Sequence, residues 1–263
     1  MISDTKVVAI GGGTGLSTML KGLKLHTHNI TAVVTVADDG GSSGILRSDL
    51  GMLAPGDVRN CVSALAEVDP VMGELLNFRF KDGSLKGHSL GNLFLAALNE
   101  TSSSFDEAVK KFSHLTGVVG TVYPVTNESV TLSALLEDGR LIEGESHIGV
   151  HHDGPKNGIV KLMVNPEKPK AVDGVIKALE KADIIVLGPG SLYTSIIPNL
   201  LVDGVVDAIK KSNAVKIYVC NIMSQAGETE NYTVSDHLAA IERHSYEGIA
   251  DIVIANNAII PES

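Results

Sequence analysis

The segment Val7–Ile10 is an uninterrupted apolar run that ends in a glycine-rich turn. The turn reads Gly11-Gly12-Gly13-Thr14-Gly15-Leu16-Ser17 and leads into a segment with helical character. Such a run is typical of a central strand in a parallel sheet, buried on both faces. Glycine lacks a Cβ, so its backbone can turn tightly and approach a ligand. A helix that begins near Thr14 would direct free N–H groups at that ligand, and the sequence predicts a phosphate-binding unit.

The turn matches neither of the two common phosphate-binding motifs. Leu16 stands where GxGxxG requires its third glycine, and no Gly-Lys-Ser/Thr follows as in a P-loop. A tight strand-to-helix turn that binds nothing therefore stays open as an alternative, and the downstream loops must decide between the two.

Strand and helix patterns alternate along most of the chain. We predict strands at 30–36, 159–164, 184–187, 215–220 and 251–255. We predict helices at 16–25, 56–67, 71–80, 89–98, 105–112, 171–182, 194–211 and 234–244. This alternation favours an α/β, Rossmann-like, doubly wound fold with a mostly parallel sheet and right-handed crossovers. The stretch 37–47 is predicted to be a loop at the carboxyl end of the second strand.

We expect a single α/β nucleotide-binding domain over residues 1–263, with an antiparallel β-hairpin insertion at 120–165. Val130, Leu132, Ala134 and Leu136 alternate with polar neighbours, and the turn 137–140 is followed by a returning segment up to Ile148. The pattern stops just after a predicted strand, so we expect further structure beyond the last residue.

Composition excludes several classes of function. The chain has 263 residues, 44% hydrophobic content and a formal net charge of −10. Without a Lys/Arg run, a nucleic-acid partner is not expected. No apolar stretch reaches the roughly 18 to 20 residues of a membrane span. Cys61 and Cys220 lack CxxC spacing, which favours reduced thiols and a cytoplasmic protein.

Three acidic residues are candidates for a metal site. Asp38 and Asp39 follow the predicted second strand, and Asp57 lies at a predicted helix start. Carboxylates beside a phosphate-binding loop suit Mg²⁺, which bridges to phosphate oxygens. Helix capping by Asp57 and local loop hydrogen bonds by Asp38 or Asp39 are the alternative. Asp38 is also placed to accept a ribose hydroxyl, as in dinucleotide folds, which keeps NAD open.

Other polar residues are weaker candidates. Arg47 and Arg59 offer charge to phosphates, and His88, Ser89 and Asn92 either contact a substrate or cap a helix. The tract His151-His152-Asp153 has no partner cluster, which favours a surface loop.

Two glycine- or asparagine-containing loops follow later strands. The first contains Gly188, Gly190 and Ser191 and lacks the GxSxG order of a nucleophile elbow, so we expect backbone contacts to a sugar or phosphate. The second begins at Asn221, whose amide suits a base or ribose edge. A polar connecting loop without a ligand is the alternative.

Six blocks in order resemble the 2-phospho-L-lactate transferase (CofD)-like family, most closely its bacterial gluconeogenesis-factor branch. The blocks are GGGTGLS at 11–17, DDGGSSGILR at 38–47, PGDVRN at 55–60, HSLGNL at 88–93, GPGSLYTSIIPNL at 188–200 and CNIMSQAGETENYT at 220–233. The resemblance implies a nucleotide-diphosphate site at the strand carboxyl ends. In the transferase branch it implies phospholactyl transfer from a guanosine-diphosphate-linked donor to a deazaflavin, with a divalent metal at carboxylates that match Asp38 or Asp39 and Asp57. In the gluconeogenesis-factor branch it implies binding of UDP-sugars, with effects on cell-wall synthesis, cell shape and growth on gluconeogenic carbon sources.

We therefore expect a nucleotide-sugar-binding regulatory protein, with Mg²⁺ held by Asp38, Asp39 and Asp57 and with no assigned catalytic residue. A metal-dependent transferase and an NAD-binding protein are the alternatives, with GDP or NAD as ligand. We also expect protein partners in cell-wall metabolism and a homo-oligomer. The expected ligand contacts are Gly11, Gly12, Gly13, Thr14, Gly15, Ser17, Asp38, Asp39, Arg47, Asn92, Gly188, Gly190, Ser191, Tyr193, Asn199 and Asn221.

Overall fold

A computed structural model describes residues 2–149 and 158–258. The strands in this part of the chain are β1 (Val7–Gly11), β2 (Ile30–Val34), β3 (Thr121–Pro124), β4 (Thr131–Leu136), β5 (Leu141–Glu143), β6 (Ile159–Asn165), β7 (Ile184–Leu187), β8 (Val215–Val219) and β9 (Ile252–Ile254). Six of them form a parallel sheet in the order β3-β2-β1-β7-β8-β9. This is the 3-2-1-4-5-6 order of a Rossmann fold, which confirms the predicted fold class.

The helices in the same ranges are α1 (Gly13–Leu23), α2 (Gly41–Leu50), α3 (Gly56–Leu65), α4 (Pro70–Asn77), α5 (Leu90–Glu100), α6 (Phe105–Leu115), α7 (Glu145–Ile148), α8 (Asp173–Lys181), α9 (Ile197–Leu200), α10 (Val205–Lys211) and α11 (Val234–Arg243). A π-helical turn, Leu192–Ile196, precedes α9. None of these helices is long and apolar enough to span a bilayer.

β1 lies at the centre of the parallel sheet and sets the position of the ligand crevice. Val7 is in register with Ile30 of β2 on one side and with Ile184 of β7 on the other. All five residues of β1 are buried, so both faces of the sheet are covered. The strand order reverses between β1 and β7. In open parallel sheets this switch point places ligands outside the carboxyl ends of the two strands.

A second, three-stranded antiparallel sheet has the order β5-β4-β6; we refer to residues 131–149 and 158–165 as the β-lobe. The predicted insertion begins at residue 120, but β3 is the edge strand of the parallel sheet, so the β-lobe begins only at β4. The predicted returning strand also ends early. Gly144, with a φ of 94°, turns the chain into α7 instead. His151, His152 and Asp153 lie outside the described residues.

Two further predictions of secondary structure need correction. The stretch 37–47 was predicted as a loop, but its second half belongs to α2, whose glycine- and serine-rich start has no apolar periodicity. The predicted helix 194–211 is divided, because the chain leaves α9 and passes through Gly204 in the left-handed region before α10 begins. A glycine with a φ of 85° interrupts helical geometry at little cost, which explains the break.

The helix α8 packs closely against β3. A Cβ on Gly174 would lie 2.4 Å from the Tyr123 ring, so α8 approaches the sheet edge at a distance that only glycine allows. By contrast, a Cβ on Gly22 of α1 would have no atom within 4 Å.

Replacing Gly174 should therefore destabilise the protein, whereas the same change at Gly22 should not. We expect Gly174→Ala to lower the free energy of unfolding by about 1–3 kcal/mol, the usual cost of overpacking. Gly22→Ala should leave stability unchanged or raise it by up to about 1 kcal/mol, because alanine is the better helix former. Urea unfolding of both variants checks this. Equal midpoints would contradict the tight α8–β3 contact.

Candidate functional site

The glycine-rich turn lies at the switch point, directly before α1. Gly12 is the N-cap residue of α1 and has no side chain that could cap the helix, and the Asp57 carboxylate accepts from the Gly13 amide. Gly13 has a φ of 65°, in the left-handed region that favours glycine. Thr14 is exposed, and the hydroxyl of Ser17 donates to the Thr14 carbonyl within the helix. The first N–H groups of α1 thus carry the partial positive charge that attracts phosphate.

The loop after β7 packs directly against this turn. A Cβ on Gly15 would lie 2.8 Å from the carbonyl oxygen of Pro189, and one on Gly190 would lie 3.3 Å from the carbonyl oxygen of Gly12. The Asn221 amide fixes Gly190, accepting from its N–H at 3.1 Å and donating to its carbonyl at 2.8 Å. The two loops therefore form one wall of the crevice, and the predicted Asn221 contact is a backbone clamp.

Asp57 and Asp38 lie beside the glycine-rich turn. A Cβ on Gly12 would lie 2.6 Å from Oδ2 of Asp57, and one on Gly56 would lie 3.1 Å from Oδ2 of Asp38. Oδ1 of Asp38 accepts from the Gly40 N–H at 2.9 Å. Two of the three predicted metal-binding carboxylates are thus neighbours beside the glycine-rich turn.

Electrostatic repulsion marks this carboxylate group as a place for a cation. Burial and the neighbouring Asp38 raise the pKa of Asp57 to about 6, although the Gly13 amide and Arg59 act in the opposite direction. Burial, followed by the charges of Asp38 and the other nearby acids, raises the pKa of Glu145 to about 7. Within the described residues, neither ion pair involves these three carboxylates. Glu145 was not predicted, because it belongs to the β-lobe and lies 88 positions after Asp57 and 107 after Asp38 in the printed sequence.

Asp39 points away from Asp57 and caps α7. Its two carboxylate oxygens accept from the N–H groups of Glu145 at 3.0 Å and Ser146 at 2.9 Å. Arg47 acts beside it, donating to the carbonyls of Ala37 and Asp38, each at 3.0 Å, and to that of Val130 at 2.7 Å. The structure therefore places both predicted ligand contacts in a clamp that holds the β-lobe to the loop after β2.

A buried polar network lies behind the carboxylates. The Nε of Arg59 donates to Oδ1 of Asn92 at 3.3 Å, and Nδ2 of Asn92 donates to the Ser42 hydroxyl at 3.1 Å. The Ser42 hydroxyl is 3.0 Å from Nδ1 of His88. Ser89 caps α5 separately, by accepting from the Asn92 N–H. Asn92 thus holds the first turns of α2, α3 and α5 together.

The loop after β7 rests on a second set of buried groups. Glu228 accepts from the Tyr193 N–H at 3.0 Å and the Thr194 hydroxyl at 3.1 Å, which fixes the start of the π-helical turn. Tyr193 is fully buried, and its hydroxyl donates to the Ile159 carbonyl at 3.1 Å. Asn199 donates to the Gly11 carbonyl at 3.1 Å. Tyr193 and Asn199 therefore support the crevice from beneath. Glu228 was missed because a buried carboxylate has no local sequence signal.

The remaining predicted contacts, Gly188 and Ser191, belong to the same loop after β7. Ser191 donates to Oε1 of Gln225 at 2.7 Å, and Gly188 is a buried residue with a φ of 76°. A π-helical turn at this position is notable because such turns occur frequently at functional sites.

The residues present fit a hard cation that shares its coordination with a ligand. Within 2–149 and 158–258, no three His, Cys, Asp or Glu side chains converge as a metal cage. Mg²⁺ is commonly held by one or two carboxylates together with substrate phosphates and waters. Asp38 and Asp57 supply such a pair, whereas the oxygens of Asp39 are used by α7.

Loss of the Arg47 clamp should weaken the whole protein. Lysine is a point charge and does not reproduce the planar fork that reaches three carbonyls. We expect Arg47→Lys to lower the free energy of unfolding by about 1–3 kcal/mol in urea titrations. Arg140→Lys is the control, since Arg140 is exposed and pairs with Asp138 on the β-lobe surface; it should change stability by less than about 0.5 kcal/mol. Equal effects of the two changes would contradict the clamp.

The charge of Asp57 should make the metal-free protein less stable at higher pH. Its pKa is raised on folding, so the free energy of unfolding falls as pH rises from about 4 to 6. Asp57→Asn removes this loss. In EDTA, the variant should match the native protein near pH 4 and exceed its stability above pH 6, by up to about 3 kcal/mol.

Chemical unfolding at pH 4 and pH 7.5 measures this difference. The exposed Asp49→Asn variant is the control and should stay within about 0.5 kcal/mol of the native protein at both pH values. A stability gain for Asp57→Asn that is the same at both pH values would contradict the assignment of the repulsion to Asp57.

Comparison with known proteins gives a consistent family. The family described as 2-phospho-L-lactate transferase CofD matches residues 7–263. A gluconeogenesis factor from Bacillus subtilis is 46% identical over 98% of this chain and 80% of its own length. A relative from Clostridium acetobutylicum is 52% identical over the whole chain, which spans only 58% of that relative.

A solved structure shows the same fold. The crystal structure of a member of the UPF0052 family from Bacillus halodurans has a TM-score of 0.94 and 46% identity, and the match covers 99% of this chain and 83% of the other. These matches confirm the resemblance seen in the six sequence blocks. The chain therefore belongs to the 2-phospho-L-lactate transferase CofD family, among relatives named as gluconeogenesis factors.

Proposed function

We propose that this protein binds a nucleoside diphosphate sugar, with UDP-N-acetylglucosamine as the leading ligand, and that binding is regulatory. One observation carries the proposal. At the switch point of the sheet, the glycine-rich start of α1 lies beside the adjacent carboxylates Asp38 and Asp57. This arrangement combines backbone donors for a diphosphate with oxygen ligands for a cation.

Each side of the crevice has a defined task in this proposal. The N–H groups that follow Gly12 hold the diphosphate. The small residues around Gly190 leave room for the diphosphate to approach the backbone. Asp38 and Asp57 hold Mg²⁺. The bound ion supplies positive charge that offsets the carboxylates and the diphosphate together. The loop that begins at Asn221 lies beside the same crevice and completes the pocket for the sugar or base.

The cellular role follows from the relatives and is part of the same proposal. The Bacillus subtilis relative is named a gluconeogenesis factor. In this proposal the protein is cytoplasmic and homo-oligomeric and senses a nucleotide sugar. It acts through protein partners, with effects on cell-wall synthesis, cell shape and growth on gluconeogenic carbon sources. The name of the relatives supports the metabolic part, and the crevice supports the nucleotide-sugar part.

The family match supports a second candidate, a metal-dependent transfer of a phosphorus-containing group. The description of the family is that of a transferase, and the Asp38–Asp57 pair suits a bound ion that neutralises a diphosphate leaving group. In this case the nucleotide would be a donor and would be released during turnover, with GDP-linked donors favoured over UDP-sugars.

Calorimetric titration with UDP-N-acetylglucosamine, GDP and NAD, each with and without Mg²⁺, separates these candidates. We expect the UDP-sugar to bind, to bind more tightly with Mg²⁺ and to be recovered unchanged. Binding of GDP in preference to the UDP-sugar, with release of nucleotide from a GDP-linked donor, would favour the transferase. Binding of NAD alone, independent of Mg²⁺, would contradict both and restore a dinucleotide site with Asp38 at the ribose.

Two variants connect the binding to the crevice. Gly15→Ala forces the start of α1 away from Pro189 and should weaken UDP-sugar binding at least about tenfold, or about 1.4 kcal/mol. The control Gly22→Ala, in the same helix, should bind as the native protein does. Asp57→Asn should abolish the gain from Mg²⁺ without weakening metal-free binding, because it removes a charge that repels the diphosphate. A full magnesium effect in Asp57→Asn would contradict the metal assignment.

A further inference from the structure

A cavity of about 310 Å³ opens at the amino ends of the parallel strands, at the edge of the sheet opposite the crevice. It lies between the starts of β1, β2 and β3 and the last turns of α8. The polar side chains of its lining include Lys6, His28, Thr31, Thr121, Lys177 and Lys181. Among the described residues that line the cavity, none is Asp or Glu.

The three lysines bring positive charge that nothing in the described chain neutralises directly. Neither of the two ion pairs found there includes Lys6, Lys177 or Lys181, and no hydrogen bond of their ammonium groups is present in those ranges. At this edge of the sheet, the Asp183 carboxylate accepts from the backbone N–H of Lys6 at 2.8 Å. It does not line the cavity. All three lysines are exposed, and together they place three positive charges around one cavity of a chain whose net charge is −10.

The dipole of α8 explains only part of this charge. Lys177 and Lys181 lie in the C-terminal half of α8, where cations complement the carbonyl groups of the last turn. Those carbonyls carry about half of one elementary charge. The three ammonium groups therefore exceed what the helix end compensates, and Lys6, which precedes β1, belongs to no helix.

Two hydroxyl groups add neutral donors at the floor of the cavity. Thr31 of β2 and Thr121 of β3 are register partners, so their side chains lie side by side on one face of the sheet. Both are partly exposed, and neither hydroxyl has a hydrogen-bond partner within the described ranges. The charged groups of the lining are thus all donors, and the hydroxyls can donate as well.

We propose that this cavity binds a small phosphate monoester. A phosphate dianion offers three acceptor oxygens, which matches three ammonium groups and two hydroxyls better than a single carboxylate would. The volume accommodates a phosphate with a short organic chain.

This site is separate from the proposed nucleotide site and goes beyond the proposed function. The two are joined by β1, which carries Lys6 just before its first residue and Gly12 just after its last. Five residues at about 3.3 Å each place the sites roughly 17 Å apart along the strand. Both ends of one buried strand would therefore hold an anion.

Amide chemical shifts during titration with inorganic phosphate and with glycerol 3-phosphate test the proposal, at an ionic strength held constant with sodium chloride. We expect saturable shifts at Thr31, Thr121 and residues 177–181, and none with glycerol. Lys177→Gln/Lys181→Gln should weaken binding at least tenfold. Lys21→Gln/Lys211→Gln removes the same two charges from the last turns of α1 and α10 and should bind as the native protein does.

Three results would overturn the proposal. Chemical shifts that do not saturate would show that phosphate associates with the lysines non-specifically. Equal affinity of the two double variants would show that the cavity lysines do not hold the phosphate. Shifts confined to residues 11–15 would place the phosphate at the start of α1 instead. The first two results do not depend on whether the crevice binds a UDP-sugar, and the third would move the phosphate to the crevice, so the failure of this proposal is distinguishable from that of the proposed function.

Discussion

Backbone contact between the loop after β1 and the loop after β7 is the constraint on which the crevice depends. Gly15 meets the Pro189 carbonyl at a distance that leaves no room for a Cβ, and a Cβ on Gly190 would lie 3.3 Å from the Gly12 carbonyl oxygen, which is a tight contact. Neighbouring strands in a sheet are about 4.8 Å apart, so the loops at their ends meet this closely only where glycines replace larger residues. The wall of the crevice that these two loops form consists largely of backbone, which leaves space beside it.

Charge, more than shape, then determines what the crevice can accept. Asp38, Asp57 and Glu145 repel one another, as the raised pKa values of Asp57 and Glu145 show. A diphosphate alone would add to this repulsion, and a cation alone would lack most of its ligands. Binding of the two is therefore expected to be cooperative, and by linkage each raises the affinity for the other by the same factor.

The sequence was sufficient to predict the parallel sheet, because buried apolar runs and glycine turns are local signals. β1, β7 and β8 start where their patterns predict, and the acids at the ends of β2 and at the start of α3 converge as expected. The β-lobe contacts were not predictable in this way. The cap of α7 comes from Asp39, which lies 106 positions before Glu145 in the chain. Long-range hydrogen bonds of this kind leave no periodic trace.

Residue type alone also gave an incomplete account of the role of several candidates. Arg47 has the charge for a phosphate, yet its guanidinium binds three carbonyls. Tyr193 and Asn199 lie in a block that resembles the family, and both support the crevice through buried hydrogen bonds. A motif marks the positions that a site needs, but burial decides which side chains face the ligand and which hold the scaffold.

The central place of β1 has a consequence for the order in which the molecule assembles. Lys6, at the entrance to β1, is bonded to Asp183, a residue 177 positions later in the chain. During synthesis, β1 and β2 can pair early, but one side of β1 stays without a partner until β7 emerges. An unpaired, fully apolar strand is exposed to aggregation for that time. The nascent chain thus carries the strand that leads into the glycine-rich turn as an open edge until residues 184–187 have been made.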